Sequence, residues 1–247
     1  MRLLLTNDDG IHSEGIKALL DELSGSHEVW VVAPEAEQSG GSHSITLHDA
    51  LRVRRVTEWQ FSCRGTPADC VMVALLGLVQ GRIDLVISGI NHGPNLGTDI
   101  LYSGTAAGVR QGALMGVASV ALSAGAYRAP FDFAAAASFA ARNLDNFRTL
   151  GTDDHFLNVN FPAAGTSGAE PVITFPSRRI YRMELHTYDA PDGDLYCFIG
   201  GPHPGAHPEE GSDCMVVSQG RISISPIHAH PRNWASIEES CRGVTFR

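Results

Sequence analysis

The residues best suited to chemistry are two adjacent carboxylates, Asp8 and Asp9, at the end of a short apolar run. Two carboxylates side by side in a partly buried crevice repel each other unless a cation lies between them or one is protonated. Ser39 and Asn91 follow two other predicted strands and offer neutral oxygens. Two carboxylates, a hydroxyl and an amide suit Mg²⁺, Mn²⁺ or Ca²⁺ rather than Zn²⁺. Asn-Asp-Asp-Gly is also a favourable turn sequence, and spacing alone leaves that alternative open.

A second feature is the hydroxyl-rich turn Ser103-Gly104-Thr105, which leads into the small residues of a predicted helix. A helix N-terminus presents free backbone N–H groups and a positive dipole end to an anion. Ordinary N-capping by Ser103 or Thr105 explains the same residues. The loop that contains Ser39 and Gly40 is similarly small, and neither loop contains lysine or arginine. Together these features predict a phosphate ester held by a metal ion and by backbone N–H groups.

The elements that must position these residues alternate between strand and helix. Continuous apolar runs predict buried strands, and apolar residues at helical spacing predict helices. The predicted strands are residues 2–6, 28–33, 84–90, 117–122 and 156–161, and the predicted helices are residues 15–23, 106–114 and 131–147, with another that begins at Thr66 and Pro67. This order predicts an α/β fold with a doubly wound, Rossmann-like, mostly parallel sheet. In such sheets ligands bind beyond the carboxyl ends of the strands, where the candidate residues stand.

Two regions depart from this alternation. Residues 47–63 alternate loosely between polar and apolar types, which predicts an exposed hairpin. Beyond residue 163, short alternating pieces such as residues 195–199 and 215–217 predict hairpins and long loops. We therefore expect an α/β core with the candidate site at residues 1–162 and a C-terminal β-hairpin and arm region at residues 163–247.

Composition excludes several classes of function. The 247 residues include 27 acidic and 18 Lys or Arg side chains, a net charge of −9 without a basic cluster, so no nucleic-acid polymer is expected as a partner. Lys17 is the only lysine, which rules out Schiff-base chemistry and a P-loop lysine elsewhere. Five scattered cysteines without a CxxC pair favour the reducing cytoplasm over a disulfide framework or a zinc site. No apolar run suits a signal peptide or a membrane span.

Five motifs cover most of the first half of the chain. They are Thr6-Asn-Asp-Asp-Gly-Ile11, Ser39-Gly-x-Ser-x-Ser-x-Thr46, Gly65-Thr-Pro-x-Asp-Cys70, Ser88-Gly-Ile-Asn-x-Gly-Pro-Asn-Leu-Gly97 and Tyr102-Ser-Gly-Thr105. In their order and spacing they closely resemble the SurE family. Weaker similarities follow in the second half, at Asn158-Val-Asn160, Ser212-Asp213 and Ser225-Pro-Ile227.

The resemblance implies a metal-dependent phosphatase of nucleoside monophosphates, a 5′-nucleotidase, with 3′-nucleotides and short polyphosphate as further substrates of some members. It implies one divalent cation per subunit, Mg²⁺ or Mn²⁺, with Ca²⁺ as a substitute in crystals. It also implies a homodimer or homotetramer that exchanges C-terminal arms. Positions that match the family's metal ligands are Asp8, Asp9, Ser39 and Asn91, and positions that match the phosphate surroundings are Asn95, Ser103, Gly104 and Thr105.

The chain departs from the family pattern at two histidines. His92 stands where the family commonly has a small residue, which we interpret as a tolerated substitution at the rim of the site. His230 stands where the family more often has aspartate, which bears on the exchange of arms. His228 and His230 share a strand face, but two imidazoles without a third ligand are weak grounds for a metal site.

Attack by a metal-activated water is the predicted mechanism. Either carboxylate can assist as base; we assign metal ligation to Asp9 and both roles to Asp8, although the sequence does not separate them. A covalent aspartyl-phosphate is the alternative within the enzyme class, but Gly10 stands where such enzymes have a second aspartate, and Lys17 is the only lysine. From a different class, the alternative is a nucleotide-binding sensor without turnover. The preferred nucleobase and sugar position are left open.

Overall fold

The computed structural model describes residues 1–231. Its strands are β1 (Arg2–Thr6), β2 (Glu28–Pro34), β3 (Val53–Arg55), β4 (Gln60–Cys63), β5 (Leu85–Asn91), β6 (Ser119–Ser123), β7 (His155–Asn160), β8 (Pro171–Ile173), β9 (Arg179–Ile180), β10 (Glu184–Asp189), β11 (Leu195–Gly200), β12 (Gly205–Ala206) and β13 (Ile222–His228). Its α-helices are α1 (Glu14–Leu23), α2 (Pro67–Val73), α3 (Gly104–Leu114), α4 (Phe133–Arg142), α5 (Leu144–Leu150) and α6 (Asp213–Ser218). A π-helical turn (Ala74–Leu78) follows α2, and a 3₁₀ turn (Gly97–Leu101) precedes α3. Over this range no helix is both long and apolar enough to cross a membrane.

The central sheet has the strand order β3-β4-β2-β1-β5-β6-β7-β13-β8. The six strands from β4 to β7 in this order are parallel, whereas β3 and β13 run antiparallel to β4 and β7. The chain builds outward through β2 on one side of β1 and through β6 and β7 on the other, so the strand order reverses between β1 and β5. The predicted doubly wound, mostly parallel sheet is confirmed.

Burial on both faces of the sheet explains the apolar strands. Leu3 and Leu5 of β1 pack with α1 and α4 on one face, and Leu4 packs with α2 on the other. All three leucines are fully buried, and each such side chain contributes about 1.5–3 kcal/mol relative to an exposed one. A slip of one residue would exchange the two faces. Packing therefore fixes the register of β1 and with it the place where Asp8 leaves the sheet.

Three local predictions differ from the structure. Residues 47–63 contain the predicted hairpin, β3 and β4, but β4 is buried rather than exposed because it also pairs with β2 inside the sheet. Residues 131–147 form two helices, α4 and α5, which meet at Asn143. Residues 215–217 lie in α6 and not in an extended piece, since three residues are too few to distinguish a helical from a strand period.

The C-terminal region contributes to the central sheet as well as to a hairpin. β8 and β13 extend the sheet beyond β7. Among the strands of the described residues, β10 and β11 pair only with each other, in an antiparallel hairpin, which agrees with the hairpin predicted for this part of the chain. The division of the chain at residue 162 stays a prediction, and residues 232–247 of the predicted arm region lie outside the described residues.

Candidate active site

The candidate residues meet at the carboxyl ends of β1, β2 and β5, where the strand order reverses. A cavity of about 640 Å³ lies there. Seven of the predicted site residues line it, namely Asp8, Asp9, Ser39, Gly40, Asn91, Asn95 and Ser103. Ligands of doubly wound proteins bind at this kind of reversal. The fold thus brings loops together that are far apart in the chain, and the catalytic and binding roles of these residues stay predictions.

Asp8 lies at the N-terminus of α3. It is 4% exposed, and its carboxylate accepts a hydrogen bond from the Thr105 hydroxyl. The backbone N–H groups of Gly104 and Thr105 also donate to it. Burial raises the pKa of Asp8, and these hydrogen bonds oppose the rise. The anion held at the start of α3 is therefore Asp8 itself.

The residues of the Ser103-Gly104-Thr105 turn, which was predicted to bind a phosphate, do not all reach the cavity. Ser103 lines the cavity and caps α3, since its hydroxyl accepts from the Ala106 N–H at 3.0 Å. N-capping, the alternative explanation of this turn, is therefore present at Ser103. Gly104 and Thr105 are buried behind the cavity wall. A Cβ on Gly104 would lie only 2.7 Å from the Cβ of Asp8, so glycine is needed for this close approach.

Asp9 has a different partner, His92. The His92 backbone N–H donates to Asp9 Oδ2 at 3.3 Å, and the ring nitrogen Nδ1 lies 3.3 Å from Oδ1. The imidazole stacks on Phe131 with ring centroids 5.2 Å apart, which holds its orientation. Burial and the charge of Asp8 raise the pKa of Asp9 to about 6, against the opposing effect of His92. His92 lines the cavity, as a rim residue should, but it also contacts a candidate metal ligand.

Ser39 and Asn91 complete a set of oxygen donors. The exposed Ser39 hydroxyl donates to Glu37 at 2.8 Å, and the Asn91 amide N–H donates to the Gly93 carbonyl at 2.8 Å, which leaves the amide oxygen available. Among residues 1–231, no lysine or arginine lines the cavity, and no cluster of three or more His, Cys, Asp or Glu is arranged for a metal. Two carboxylates without a strong cationic partner, together with neutral oxygens, fit a hard divalent cation.

Asn95 is held by two asparagines of β7 whose role no local pattern reveals. Asn160 accepts from the Asn95 backbone N–H at 2.8 Å and donates to its carbonyl at 3.0 Å. Asn158 donates to the same carbonyl at 2.8 Å. The Asn95 side chain bonds the Ser123 hydroxyl at 2.8 Å. These buried contacts fix Asn95 in the cavity wall, and the only sequence signal for them is the weak similarity at Asn158-Val-Asn160.

The C-terminal half braces the 3₁₀ turn that follows Asn95. Asp99 lines the cavity and accepts hydrogen bonds from Arg179 Nε at 3.0 Å and from the Tyr181 hydroxyl at 2.5 Å. The fully buried Asp213 accepts from the Gly97 N–H at 2.7 Å. Sequence reasoning missed Asp99 and Arg179 and noted Asp213 only as part of a weak similarity. Periodicity cannot report such contacts because their partners are distant in the chain.

The histidine pair near the end of the described chain lies apart from this cavity. His228 ends β13 opposite His155 of β7. Neither His228 nor His230 lines the cavity, and within residues 1–231 no metal-binding cluster includes them. The structure therefore gives no support to a metal site at this pair.

The fold and the cavity define a doubly wound α/β protein whose strand-order reversal presents two carboxylates and neutral oxygens. The sequence profile of the family described as Survival protein SurE matches residues 3–183. The chain is 42% identical over 240 residues to the 5′-nucleotidase SurE of Geobacter sp. (strain M21), covering 96% of this chain and 97% of the relative. This chain belongs to the SurE family, as its motifs predict.

Two further comparisons agree. The 5′-nucleotidase SurE of Myxococcus xanthus (strain DK1622) is 43% identical over 233 residues, covering 92% of this chain and 87% of that protein. The crystal structure of the SurE protein from Aquifex aeolicus matches with a TM-score of 0.82 and 34% identity, covering 97% of this chain and 98% of that one. The doubly wound fold is thus shared over nearly the whole chain.

Proposed function

We propose that this protein is a metal-dependent phosphatase that hydrolyses nucleoside monophosphates, that is, a 5′-nucleotidase. Relatives that carry this name are 42% and 43% identical over more than nine-tenths of this chain, which supports the reaction. The observation that carries the proposal is the convergence of two carboxylates and two neutral oxygens on one cavity. A nucleotide-binding sensor has no need for paired carboxylates, and no feature of the cavity favours it.

Four residues would hold one divalent cation per subunit, Mg²⁺ or Mn²⁺: Asp8, Asp9, Ser39 and Asn91. Such an ion, when bound, polarises a phosphoryl oxygen and lowers the pKa of its bound water. Asp9 would serve as a ligand whose carboxylate is oriented by its two contacts with His92. Mutual repulsion of the two carboxylates would be relieved by the cation, which supports the choice of this pair.

Asp8 would also act as the base. The Thr105 hydroxyl holds this carboxylate in place, and the carboxylate would accept a proton from the attacking water. Burial raises the pKa of Asp8, which makes its carboxylate a stronger base. Gly104 and Thr105 would act by holding Asp8, and a direct contact of these two residues with phosphate stays a prediction.

Gly40, Asn95 and Ser103 would contact the phosphate. Gly40 lies in an exposed loop with a φ of +73°, and no atom of residues 1–231 lies within 4 Å of its Cβ position, so its backbone can approach an anion closely. The Ser123 hydroxyl bonded to Asn95 can either donate or accept, so the Asn95 amide can turn its nitrogen toward a phosphate oxygen.

Direct attack by water is favoured over a covalent aspartyl-phosphate. Enzymes that form an aspartyl-phosphate have a second aspartate at the position that corresponds to residue 10. In this chain residue 10 is a glycine, with a φ of +97°. Lys17 lies in α1 and does not line the cavity, so no lysine supports the phosphate. A stable phospho-adduct trapped on Asp8 would reverse this preference.

The assembly that we propose is a homodimer or homotetramer. Both strands of the β10–β11 hairpin are exposed along their whole length and present large apolar side chains, among them Leu185, Tyr196 and Phe198. Exposed apolar surface of this kind favours burial against another chain. The exchange of C-terminal arms involves residues 232–247, which lie outside the described residues.

We place the protein in the cytoplasm. The cysteines of the described range, Cys63, Cys70, Cys197 and Cys214, are all free thiols. A reducing compartment maintains free thiols, and the exposed Cys197 would be the first to react in an oxidising one.

Phosphate release from 5′- and 3′-monophosphates and from short polyphosphate, with each divalent cation and with chelator, tests the proposal. We expect release that requires Mg²⁺ or Mn²⁺ and disappears with chelator. Asp8→Asn should abolish release while circular dichroism shows an intact fold. Asp21→Asn changes an exposed carboxylate of α1 and should retain activity as the matched control. Near-normal turnover in Asp8→Asn, or nucleotide binding by the wild type without metal-dependent release, would contradict the proposal.

A further inference from the structure

Asp69 belongs to the motif Gly65-Thr-Pro-x-Asp-Cys70, to which the proposed function assigns no role. Its side chain is buried, and it accepts three hydrogen bonds, two from Thr46 and one from the N-cap residue of its own helix, Thr66. The Thr46 backbone N–H donates at 2.8 Å, the Thr46 hydroxyl at 2.8 Å and the Thr66 backbone N–H at 3.0 Å. The Thr66 hydroxyl accepts from the Asp69 N–H at 3.1 Å, which completes a capping box at the start of α2. The two bonds from Thr46 are not part of that cap.

Thr46 ends the loop of residues 38–46, which carries Ser39 and Gly40 into the cavity. This 38–46 loop contains no helix or strand, and its residues are exposed or half-buried. Its conformation therefore depends on hydrogen bonds to neighbouring segments rather than on buried apolar contacts. One such contact is at its centre, where His43 Nε2 lies 3.0 Å from the Gln111 side-chain oxygen of α3.

The 38–46 loop is also attached at its start, its middle and its end. The Gln38 N–H donates to the Asp8 carbonyl at 2.7 Å. The Ser42 hydroxyl donates to the Leu101 carbonyl at 2.6 Å, but this bond is exposed. The attachment at the end uses the buried carboxylate of Asp69. Hydrogen bonds to a carboxylate are stronger than bonds between neutral groups, so the two bonds from Thr46 constrain the end of the loop, together with the bond that the Thr66 hydroxyl donates to the Ser44 carbonyl at 2.8 Å.

We propose that Asp69 is a positioning residue of the phosphatase and acts through Thr46 to hold Ser39 and Gly40 at the cavity. The proposal rests on the proposed function, in which Ser39 contacts the metal ion and Gly40 contacts the phosphate. Asp69 does not line the cavity itself. The same carboxylate thus joins the start of α2 to the loop after β2.

Asp69 both caps α2 and holds the 38–46 loop, and Thr46→Val separates these two roles. The substitution removes the Thr46 hydroxyl but keeps the backbone bond to Asp69 and the capping box of α2. One hydrogen bond of ordinary strength corresponds to a factor of about five. We expect the Kd for Mn²⁺ and the KM for a nucleoside monophosphate to rise about fivefold, with kcat at saturation within twofold. Amide hydrogen exchange in the 38–46 loop should accelerate by about the same factor in the protein without metal or substrate.

Two variants of Asp69 and one control complete the test. Asp69→Ala removes all three acceptor contacts, and Asp69→Asn keeps an acceptor oxygen and should partly rescue Kd and KM. Asn143→Ala is the control, because Asn143 lies between α4 and α5, does not line the cavity, and donates its side-chain N–H to the Phe139 carbonyl at 2.8 Å. It should lower thermal stability without changing Kd, KM or exchange in the 38–46 loop.

A Thr46→Val protein with wild-type Kd, KM and loop exchange would overturn the proposal, whatever its thermal stability. Equal changes in Asn143→Ala would also overturn it, because they would reflect a general loss of stability. If the wild type releases no phosphate, the proposed function fails, but faster exchange in the 38–46 loop of Thr46→Val would still support the positioning by Asp69.

Discussion

Gly104→Ala is expected to displace Asp8 and to reduce turnover while the fold remains intact. A methyl group at position 104 would lie 2.7 Å from Asp8 Cβ and 2.9 Å from Oδ2. Carbon atoms in favourable contact are about 3.5–4.0 Å apart, so one of the two groups must move by about 1 Å. Asp8 is buried and hydrogen-bonded to Thr105, so this movement disturbs its orientation.

The two consequences differ in size. Overpacking of a buried contact costs about 1–3 kcal/mol of stability, and the higher helix propensity of alanine offsets at most about 1 kcal/mol of it. A misplacement of about 1 Å in a reacting group costs about 100-fold in rate. We therefore expect kcat for Gly104→Ala to fall about 100-fold, with a free energy of unfolding only about 1–2 kcal/mol below that of the wild type.

The assay is steady-state phosphate release at saturating Mn²⁺ and substrate, with denaturant unfolding of the same preparation. Gly25→Ala is the matched control, because no atom in the described part of the chain lies within 4 Å of its Cβ position. It should retain the turnover of the wild type. A Gly104→Ala protein with kcat within twofold of the wild type would refute the argument that close approach of α3 to Asp8 orients the catalytic carboxylate.

Two further predictions concern stability. Asn160→Ala removes both side-chain bonds to the Asn95 backbone, so the free energy of unfolding should fall by about 2–4 kcal/mol and KM should rise. Denaturant titration measures the first and steady-state kinetics the second. Wild-type values of both would contradict the argument that Asn160 holds Asn95 in the cavity wall. Asp9 has a pKa of about 6 in the folded protein, against a pKa near 3.8 for unfolded aspartate. Between these two values the folded state retains a proton that the unfolded state has released. The metal-free protein should therefore lose about 2–3 kcal/mol of stability as pH rises from about 4 to 6. Melting curves should show that Mn²⁺ or Asp9→Asn reduces this loss, and an identical pH dependence in Asp9→Asn would contradict the assignment.

Much of the fold could be predicted because its signals are local. The core strands are continuous apolar runs, and helices follow them at short intervals, so few topologies satisfy the rules for crossovers. Thr66 could be recognised as a helix cap for the same reason, and the structure confirms it. The inclusion of β4 in the sheet could not be predicted, because loose alternation does not say whether a hairpin pairs with a further strand.

For the candidate site, the sequence likewise predicted only the residues that directly follow the strands. Asp8, Asp9, Ser39 and Asn91 could be nominated because parallel strands end at one edge of the sheet. The partners of Asp8 and Asp9, Thr105 and His92, are distant in the chain. The same holds for Asn95 and Asn160, which are 65 residues apart. A hydrogen bond between remote segments leaves no periodicity for a sequence-based argument to detect.

By itself the sequence determined the order of strands and helices, the apolar faces that bury them and the oxygen-bearing side chains that follow the strands. Only the tertiary structure decided that Asp8 occupies the N-terminus of α3 and that His92 contacts Asp9. It also decided that Asp69 and Asp213 tie loops to distant helices. The physical reason is that strand and helix periods arise from neighbours in the chain, whereas the orientation of a buried carboxylate depends on which remote N–H and O–H groups packing brings within hydrogen-bonding distance.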